Sequence, residues 1–181
     1  MKINVILIVI GLVMLCTAAS AAAMTVSIDS MTVQAGSKAT VPVKVTGANN
    51  LGAMDFIVTY DSSVLKFSNG DIGEVSTNGM ASFNDQNPGS VKVALADSNG
   101  ISGDGTLVKL AFDVIGGNGA TSAMNVNVIG AWNEDLTDVQ TTTQGGTVTV
   151  GGTKAPISAV TILLGILAAS LFVICRRSRE N

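Results

Sequence analysis

The sequence predicts an all-β protein: a two-sheet β-sandwich of about nine strands, followed by one apolar C-terminal helix. Three observations lead to this prediction. Residues 24–150 contain repeated runs in which apolar and polar positions alternate, Asn-Gly dipeptides fall between the runs, and no part of this range shows a helical period. The two ends of the chain are mainly apolar instead and require a separate explanation.

The alternation assigns an inward and an outward face to each predicted strand. Met54, Phe56 and Val58, for example, are separated by residues such as Asp55 that would point to the opposite side. One apolar and one polar face are typical of antiparallel strands that pack on a core with one side only. The other apolar positions in such runs are Val41, Val43, Val45, Val91, Val93, Leu95, Val108, Leu110, Phe112, Val114, Val126, Val128, Val148 and Val150. We predict turns at the Asn-Gly dipeptides 69–70, 78–79, 99–100 and 118–119.

The N-terminal residues 1–23 have the composition of a cleaved signal peptide. Lys2 supplies the positive start, residues 3–15 form the apolar segment, and the alanines 21–23 provide a small-residue cleavage site. The sequence therefore predicts an exported domain that begins at residue 24.

The C-terminal apolar run, residues 157–175, contains no charged residue. As a helix it would be about 28 Å long, which is close to the hydrocarbon thickness of a bilayer. All three arginines of the chain follow it directly. Because positively charged flanks stay in the cytoplasm, we predict a linker (151–155), a transmembrane helix (156–175) and a basic cytoplasmic tail (176–181). The predicted location is the cell membrane, with a single pass and an extracellular domain.

The charge balance of the predicted domain excludes several functions. Residues 24–153 contain twelve acidic residues, five lysines and no arginine, which makes nucleic acid an unlikely partner. The same residues contain no His and no Cys, so disulfides and sites with Cys or His metal ligands are excluded. The commonest nucleophile–base pairs are missing as well, and we predict that the domain is not an enzyme.

Two oxygen-rich segments are candidates for calcium sites. Residues 97–104 resemble the start of a calcium loop, but an EF-hand pattern fails at Ile101 and Val108, and a plain loop is the better interpretation. Residues 133–135 with Asp138 form the second acidic cluster. We therefore predict no cofactor, with calcium as the alternative. Trp132 has the same parity as Val126 and Val128, which predicts a core or rim position rather than a sugar-stacking platform.

Several segments, in order along the chain, resemble those of cohesin domains. Residues 52–65 follow the pattern G-x-x-x-F-x-V-x-Y-D-x-x-V-L, and residues 104–114 follow D-G-x-L-x-x-L-x-F-x-V. Residues 35–43, the G-D-I of residues 70–72, and residues 130–136 and 145–150 add to the resemblance. It implies a jelly-roll sandwich of nine strands over residues 24–150.

The resemblance also implies a function, namely the docking of dockerin-bearing proteins at the cell surface, as in polysaccharide degradation. In cohesins an Asp directly before the Phe of the first pattern lies on the dockerin-binding sheet, and Asp55, which precedes Phe56, matches this position. This chain has Ala53 and Ala96 where well-studied cohesins carry Asn and an acidic residue. The predicted partner-binding residues are Asp55, Asn84, Val93, Leu95 and Ser98. Direct polysaccharide binding and a structural or adhesive role in the cell envelope stay open as alternatives.

Overall fold

The computed structural model describes residues 23–151, and in this range the protein is all-β, with nine strands and one short 3₁₀ turn, Glu74–Ser76. Two of the strands exceed twenty residues, whereas most of the others have four to eight. The strands are β1 (Met24–Ile28), β2 (Met31–Gln34), β3 (Lys38–Thr59), β4 (Leu65–Ile72), β5 (Met80–Asn84), β6 (Ser90–Val114), β7 (Thr121–Asn133), β8 (Thr141–Gln144) and β9 (Gly146–Gly151).

The two long strands each contribute to both layers of the domain. β3 and β6 are antiparallel partners, and their register shifts repeatedly around residues 45–53 of β3. Tyr60, which follows β3, packs edge-on against Phe112 with ring centroids 5.0 Å apart. Phe112 is the register partner of Ala39, at the start of β3. The two ends of β3 therefore lie at the same end of the domain, and the strand folds over at its middle.

The strand pairing divides the domain into two groups. The first half of β3 pairs with β1 and with the second half of β6, which in turn pairs with β4. The second half of β3 lies between β7 and the first half of β6, and β5 pairs with the outer side of β6. β8 joins β1, while β9 pairs with both β7 and β2.

The core lies between these groups and consists of the residues that the alternation predicts to point inward. Phe56, Val58, Val91, Leu110 and Phe112 have no solvent-exposed area, and the other predicted inward residues are buried or half-buried. Burial of this much aliphatic and aromatic surface is the main source of stability for a domain of this size. The prediction of half-buried strands with one apolar face is confirmed.

The predicted turns are only partly correct. Residues 78–79 and 118–119 lie in turns, and Gly119 has a positive φ of 87°. Residues 69–70 and 99–100 instead lie inside β4 and β6. The Phe83 ring covers Gly70, where a side chain would collide with it, and Gly100 has a φ of 67° where β6 folds over. In both cases the small residue serves a close approach or a bend within a strand, not a hairpin.

The segment 97–104 is also different from the prediction. It is not a loop but the middle of β6, because it keeps pairing with the folded part of β3 at Ile101 and Gly103. At the C-terminal boundary, Gly151 closes β9, so the first residue of the predicted linker belongs to the domain. The predicted signal peptide up to residue 22, the rest of the linker, the transmembrane helix and the tail lie outside the described residues. Within residues 23–151 no helix is long and apolar enough to cross a membrane.

Candidate binding face

The solvent-facing side of β7, the second half of β3, the first half of β6 and β5 forms a four-stranded surface that we call the outer face. Register partners align its side chains in rows across the sheet. The first row contains Met80, Ala96, Ala53 and Trp132; the second contains Ser82, Ala94, Asp55 and Gly130; the third contains Asn84, Lys92, Ile57 and Asn127. The inward residues between the rows belong to the core, which holds the backbone of this face in place.

The first row is apolar from end to end. Met80 is 76% exposed at one end, although burial would be favoured for a side chain of its size. Trp132 is half-buried at the other end, where its ring covers the outer side of Gly130. Between them, Ala96 and Ala53 leave a low floor. A large exposed apolar strip on one face of a sheet is typical of a surface that contacts another protein.

Trp132 does not lie in the core; it is half-buried at the end of the first row, which agrees with the rim alternative of the prediction. The register of β3 and β7 shifts at Asp55 and Phe56, so that Gly130 is opposite Asp55 while Val128 is opposite Phe56. Ile129 is therefore an extra residue, a β-bulge, and it is 53% exposed. One extra residue exchanges the two faces of the strand after it, and Trp132 points outward for this reason.

The second row carries the main polar feature of the outer face. Asp55 lies between Ala94, which is small, and Gly130, over which the ring of Trp132 lies. The Asp55 side chain is 35% exposed, and its Oδ2 is 4.0 Å from Nζ of Lys92. Such a separation at a partly exposed site is a weak ion pair. A depression of about 350 Å³ adjoins Asp55, with alanines as its floor and Met80 and Ser82 on one side.

The outer face continues past the first row to the loop between β7 and β8. Leu136 in this loop is 82% exposed and has a positive φ of 60°, which is unfavourable for a residue with a branched side chain. The loop is nevertheless fixed: the Thr137 amide donates to Oδ1 of Asn133 at 2.8 Å, and the Glu134 amide donates to the Asn50 carbonyl at 3.2 Å. The structure thus presents Leu136 to solvent on a well-connected loop.

The five predicted partner-binding residues separate into two groups. Asp55, Asn84 and Ser98 point outward, and Asp55 and Asn84 lie in the rows described above. Val93 and Leu95 are 0% and 3% exposed and belong to the core, so they offer a partner almost no surface, and their predicted contact with one stays a prediction. Their side of β6 is the one that faces Phe56 and Met54 across the register. The alternation that marks them as apolar strand positions already assigns them to the inward face.

Sequence reasoning missed Met80 and Leu136 as residues of the candidate site. Met80 begins a short strand and shares its parity with the polar Ser82 and Asn84, which could have marked it as outward. Leu136 lies in a polar segment, where a single leucine among Asn, Glu, Asp and Thr could have indicated an exposed apolar residue. The outward direction of Trp132 depends on the bulge at Ile129, which leaves no clear mark in the sequence.

The two oxygen-rich segments meet at the edge of the outer face. Asp97 and Ser98 line a depression of about 240 Å³ together with Asn133 and Glu134. Asp97 is 6% exposed, and its Oδ1 accepts a hydrogen bond from the Asn99 amide at 2.9 Å. Within residues 23–151 no group of three or more acidic, His or Cys residues is arranged to hold a metal ion. The arrangement is that of a hydrogen-bonded strand edge.

Among residues 23–151, two carboxyl groups have lowered pKa values, and both lie away from the outer face. The ammonium of Lys109 donates to Glu74 at 2.6 Å, which lowers the pKa of Glu74 to about 2. The hydroxyl and amide of Ser63 donate to Oδ1 of Asp61 and lower the pKa of that carboxyl. Both groups stay ionised and fix local structure, as expected for carboxylates that stabilise a turn.

A family model described as "Cohesin domain" matches residues 24–150. The search of curated proteins gave no match. Among solved structures, a non-cellulosomal cohesin from the hyperthermophilic archaeon Archaeoglobus fulgidus is 30% identical, with a TM-score of 0.65; the match covers 71% of this chain and 91% of that one.

Two further solved structures are complexes. The sixth cohesin of scaffoldin B from Acetivibrio cellulolyticus, solved with a mutant Cel5 dockerin, is 27% identical with a TM-score of 0.64, and the match covers 71% of this chain and 99% of that one. A type I cohesin–dockerin complex from Clostridium thermocellum is 17% identical with a TM-score of 0.64 and covers 71% and 99%; this likeness shows the fold alone. The family match and the archaeal relative show that the chain belongs to the cohesin family.

Proposed function

We propose that this protein is a non-enzymatic binding module that holds dockerin-bearing proteins on its outer face. Membership of the cohesin family supports a binding role without catalysis, and the Acetivibrio cellulolyticus relative was solved with a dockerin bound. The Archaeoglobus fulgidus relative is described as non-cellulosomal, so the proposal does not depend on a cellulosome. No cofactor takes part in it.

The observation that carries the proposal is the distribution of exposed apolar side chains. Residues 23–151 contain four large hydrophobic residues that are exposed, and three of them, Met80, Ile129 and Leu136, lie on the outer face or at its edge. Exposed apolar residues scattered singly need no explanation, but several on the same side of the domain indicate an interaction surface. The polar and charged positions of the second and third rows, among them Asp55 and Lys92, lie on one side of the apolar row.

The geometry suggests how a partner would be held. Ala53, Ala94 and Ala96 form a low floor between the taller Met80 and Trp132, which leaves room for an apolar side chain of the partner. Asp55 stands at the edge of this floor and offers a carboxylate to a hydroxyl or a cation. Because the rows are hydrogen-bonded strands on a packed core, the face does not need to reorganise, and the ordering cost falls mainly on the partner.

We further propose that the domain acts at the cell surface. The support for this part is the sequence: an apolar segment without charges at 157–175, followed by arginines, and a signal-like N-terminus. A membrane-anchored module would raise the effective concentration of its partners at the cell. A contribution to polysaccharide degradation would depend on the enzymes that carry the dockerins.

The proposal is tested by capture with the purified full-length protein as bait. Secreted proteins from the same organism are passed over it, and bound proteins are identified by mass spectrometry. We expect dockerin-containing proteins to be retained, and we expect the Ala94→Arg variant to lose them, because an arginine would fill the floor beside Asp55. Thr40→Arg is the matched control: Thr40 is an exposed strand residue on the other layer.

The result decides the proposal in both directions. Retention of dockerin proteins by the Thr40→Arg variant but not by Ala94→Arg would support binding on the outer face. Equal retention by both variants would mean that the binding site does not lie on the outer face. If folded protein retained no dockerin-bearing protein at all, dockerin binding would be wrong for this chain.

Direct carbohydrate binding is the second candidate, and one observation favours it. Trp132 is a half-buried aromatic residue on the solvent-facing side of the sheet, not a core residue. Aromatic rings in such positions are common contacts for sugar rings. A glycan array would test this with the wild type and Trp132→Ala. Glycan binding that disappears in this variant, with the fold intact, would favour carbohydrate as the ligand.

A further inference from the structure

The fourth exposed hydrophobic residue lies apart from the outer face. Ile115 follows β6 and is 56% exposed, while Met80, Ile129 and Leu136 belong to the outer face or its edge. Ile115 borders a depression of about 300 Å³ that Tyr60, Phe67 and Pro88 also line. The proposed function does not account for this second apolar area.

Of the five lysines in residues 23–151, the one that has no acidic partner lies at this depression. Lys66 lines it, and no carboxylate of residues 23–151 lies within ion-pair distance of its ammonium group. The remaining lysines of the described range each have an acidic residue at 4.0 Å or less: Lys38, Lys44, Lys92 and Lys109. Asp85 also lines the depression, so its local charge is balanced.

The chain leaves the domain at this end. The Val150 carbonyl accepts a hydrogen bond from the Gly119 amide at 2.8 Å, and the Ile115 amide donates to the Val64 carbonyl at 2.9 Å. Gly151, the last described residue, is thus at the end of the domain that carries Ile115. Residues 152–156 separate it from the apolar run, and five extended residues span roughly 18 Å at most.

We propose that this end of the domain rests on the outer lipid surface, with Ile115 and Pro88 in contact with the interfacial region and Lys66 near lipid phosphate. The inference depends on the membrane anchor in the proposed function. A short tether brings the depression to the bilayer, and an amphipathic edge with an aromatic residue, an aliphatic residue and a lysine suits the interface. Because Asp85 balances Lys66, the expected surface is zwitterionic lipid rather than strongly anionic lipid.

This contact would determine how the binding module is presented. Ile115 and Tyr60 lie at the end where β3 begins and ends, whereas Met80, Trp132 and Leu136 lie towards the fold-over of β3 and β6. With the Ile115 end on the lipid, the apolar row of the outer face points away from the bilayer. A partner would then reach it without meeting the membrane.

Tryptophan fluorescence in vesicles tests the contact. Trp132 is the only tryptophan, so Trp132→Phe gives a silent background. A single probe is then introduced by Ile115→Trp or, as matched control, by Leu136→Trp, and the full-length protein is reconstituted in phosphatidylcholine vesicles with or without brominated acyl chains. Both positions are exposed, so both variants of the protein should fold.

We expect brominated lipid to reduce the emission of the Ile115→Trp probe about twofold, because bromine quenches an indole ring that lies about 5–10 Å deep in the interface. The emission of the Leu136→Trp probe should stay nearly unchanged. Adding Lys66→Glu should weaken the quenching at position 115. Equal quenching of the two probes, or none at position 115 in protein that floats with the vesicles, would overturn the lipid contact. Protein that fails to float would refute the membrane anchor itself. Neither result bears on dockerin binding, which the capture experiment tests separately with the wild-type protein.

Discussion

The indole ring of Trp132 covers Gly130, so that a Cβ atom at residue 130 would collide with the ring atoms Cη2 and Cζ2. Because residue 130 has no side chain, the tryptophan ring has room on the outer face next to Asp55. Two features of β7 make the contact possible: the bulge at Ile129 turns Trp132 outward, and Gly130 leaves space for its ring.

Gly130→Ala should therefore move the indole ring. Because Trp132 is the only tryptophan, we expect a red shift of the fluorescence emission, together with a loss of dockerin affinity of about tenfold and a change in unfolding free energy within about 1 kcal/mol. Gly117→Ala is the control, since no atom lies near its added Cβ. Unchanged emission would contradict the contact between the ring and Gly130.

Leu95→Ala separates the core from the outer face. Leu95 is 3% exposed on the inward side of β6, so we expect a loss of about 2–4 kcal/mol in unfolding free energy, measured by urea denaturation. Partner affinity of the folded protein should be unchanged. Ser98→Ala, an exposed position on the same strand, should alter stability by less than about 0.5 kcal/mol. A large effect of Leu95→Ala on affinity alone would contradict its place in the core.

Leu136→Gly tests whether the exposed leucine serves binding. Its positive φ is unfavourable for leucine and suits glycine, and an 82% exposed side chain contributes little to the core. We expect unfolding free energy to stay within about 1 kcal/mol of the wild type. Dockerin affinity, measured by calorimetry, should fall about tenfold. Wild-type affinity in this variant would remove Leu136 from the binding surface.

The pair between Glu74 and Lys109 should make stability depend on pH. The hydrogen bond from Lys109 lowers the pKa of Glu74 from 4.5 to about 2, so the ionised carboxylate favours the folded state. Its contribution is complete above pH 4.5 and is lost as the pH falls towards about 2.

The measurement compares Tm for the wild type and Glu74→Gln across this pH range. We expect the wild type to have the higher Tm near neutral pH and the difference to disappear near pH 2. Glu134→Gln is the control, because Glu134 makes no ion pair within the described residues. A Tm difference for Glu74→Gln that persists unchanged in acid would contradict the assignment.

The alternation in the sequence was sufficient to predict the strands and their inward residues. Val41, Phe56, Val91 and Leu110 are buried because a strand exposes every second residue to the same side, whatever the strand pairs with. The outward direction of Asp55 follows from the same rule. The fold-over of β3 and β6 was not predictable in this way, because Asn99-Gly100 has the same local chemistry in a hairpin turn and in a bent strand.

By itself, then, the sequence determined that the chain forms β-strands with one apolar side, and which side of each is apolar. Only the tertiary structure decided which further residues, Met80, Trp132 and Leu136, lie on the same side as Asp55. The reason is physical: burial follows a local period of two, whereas a binding face depends on register across several strands. A single extra residue, Ile129, reverses the faces of the last part of β7 and brings Trp132 beside Ala53 and Gly130.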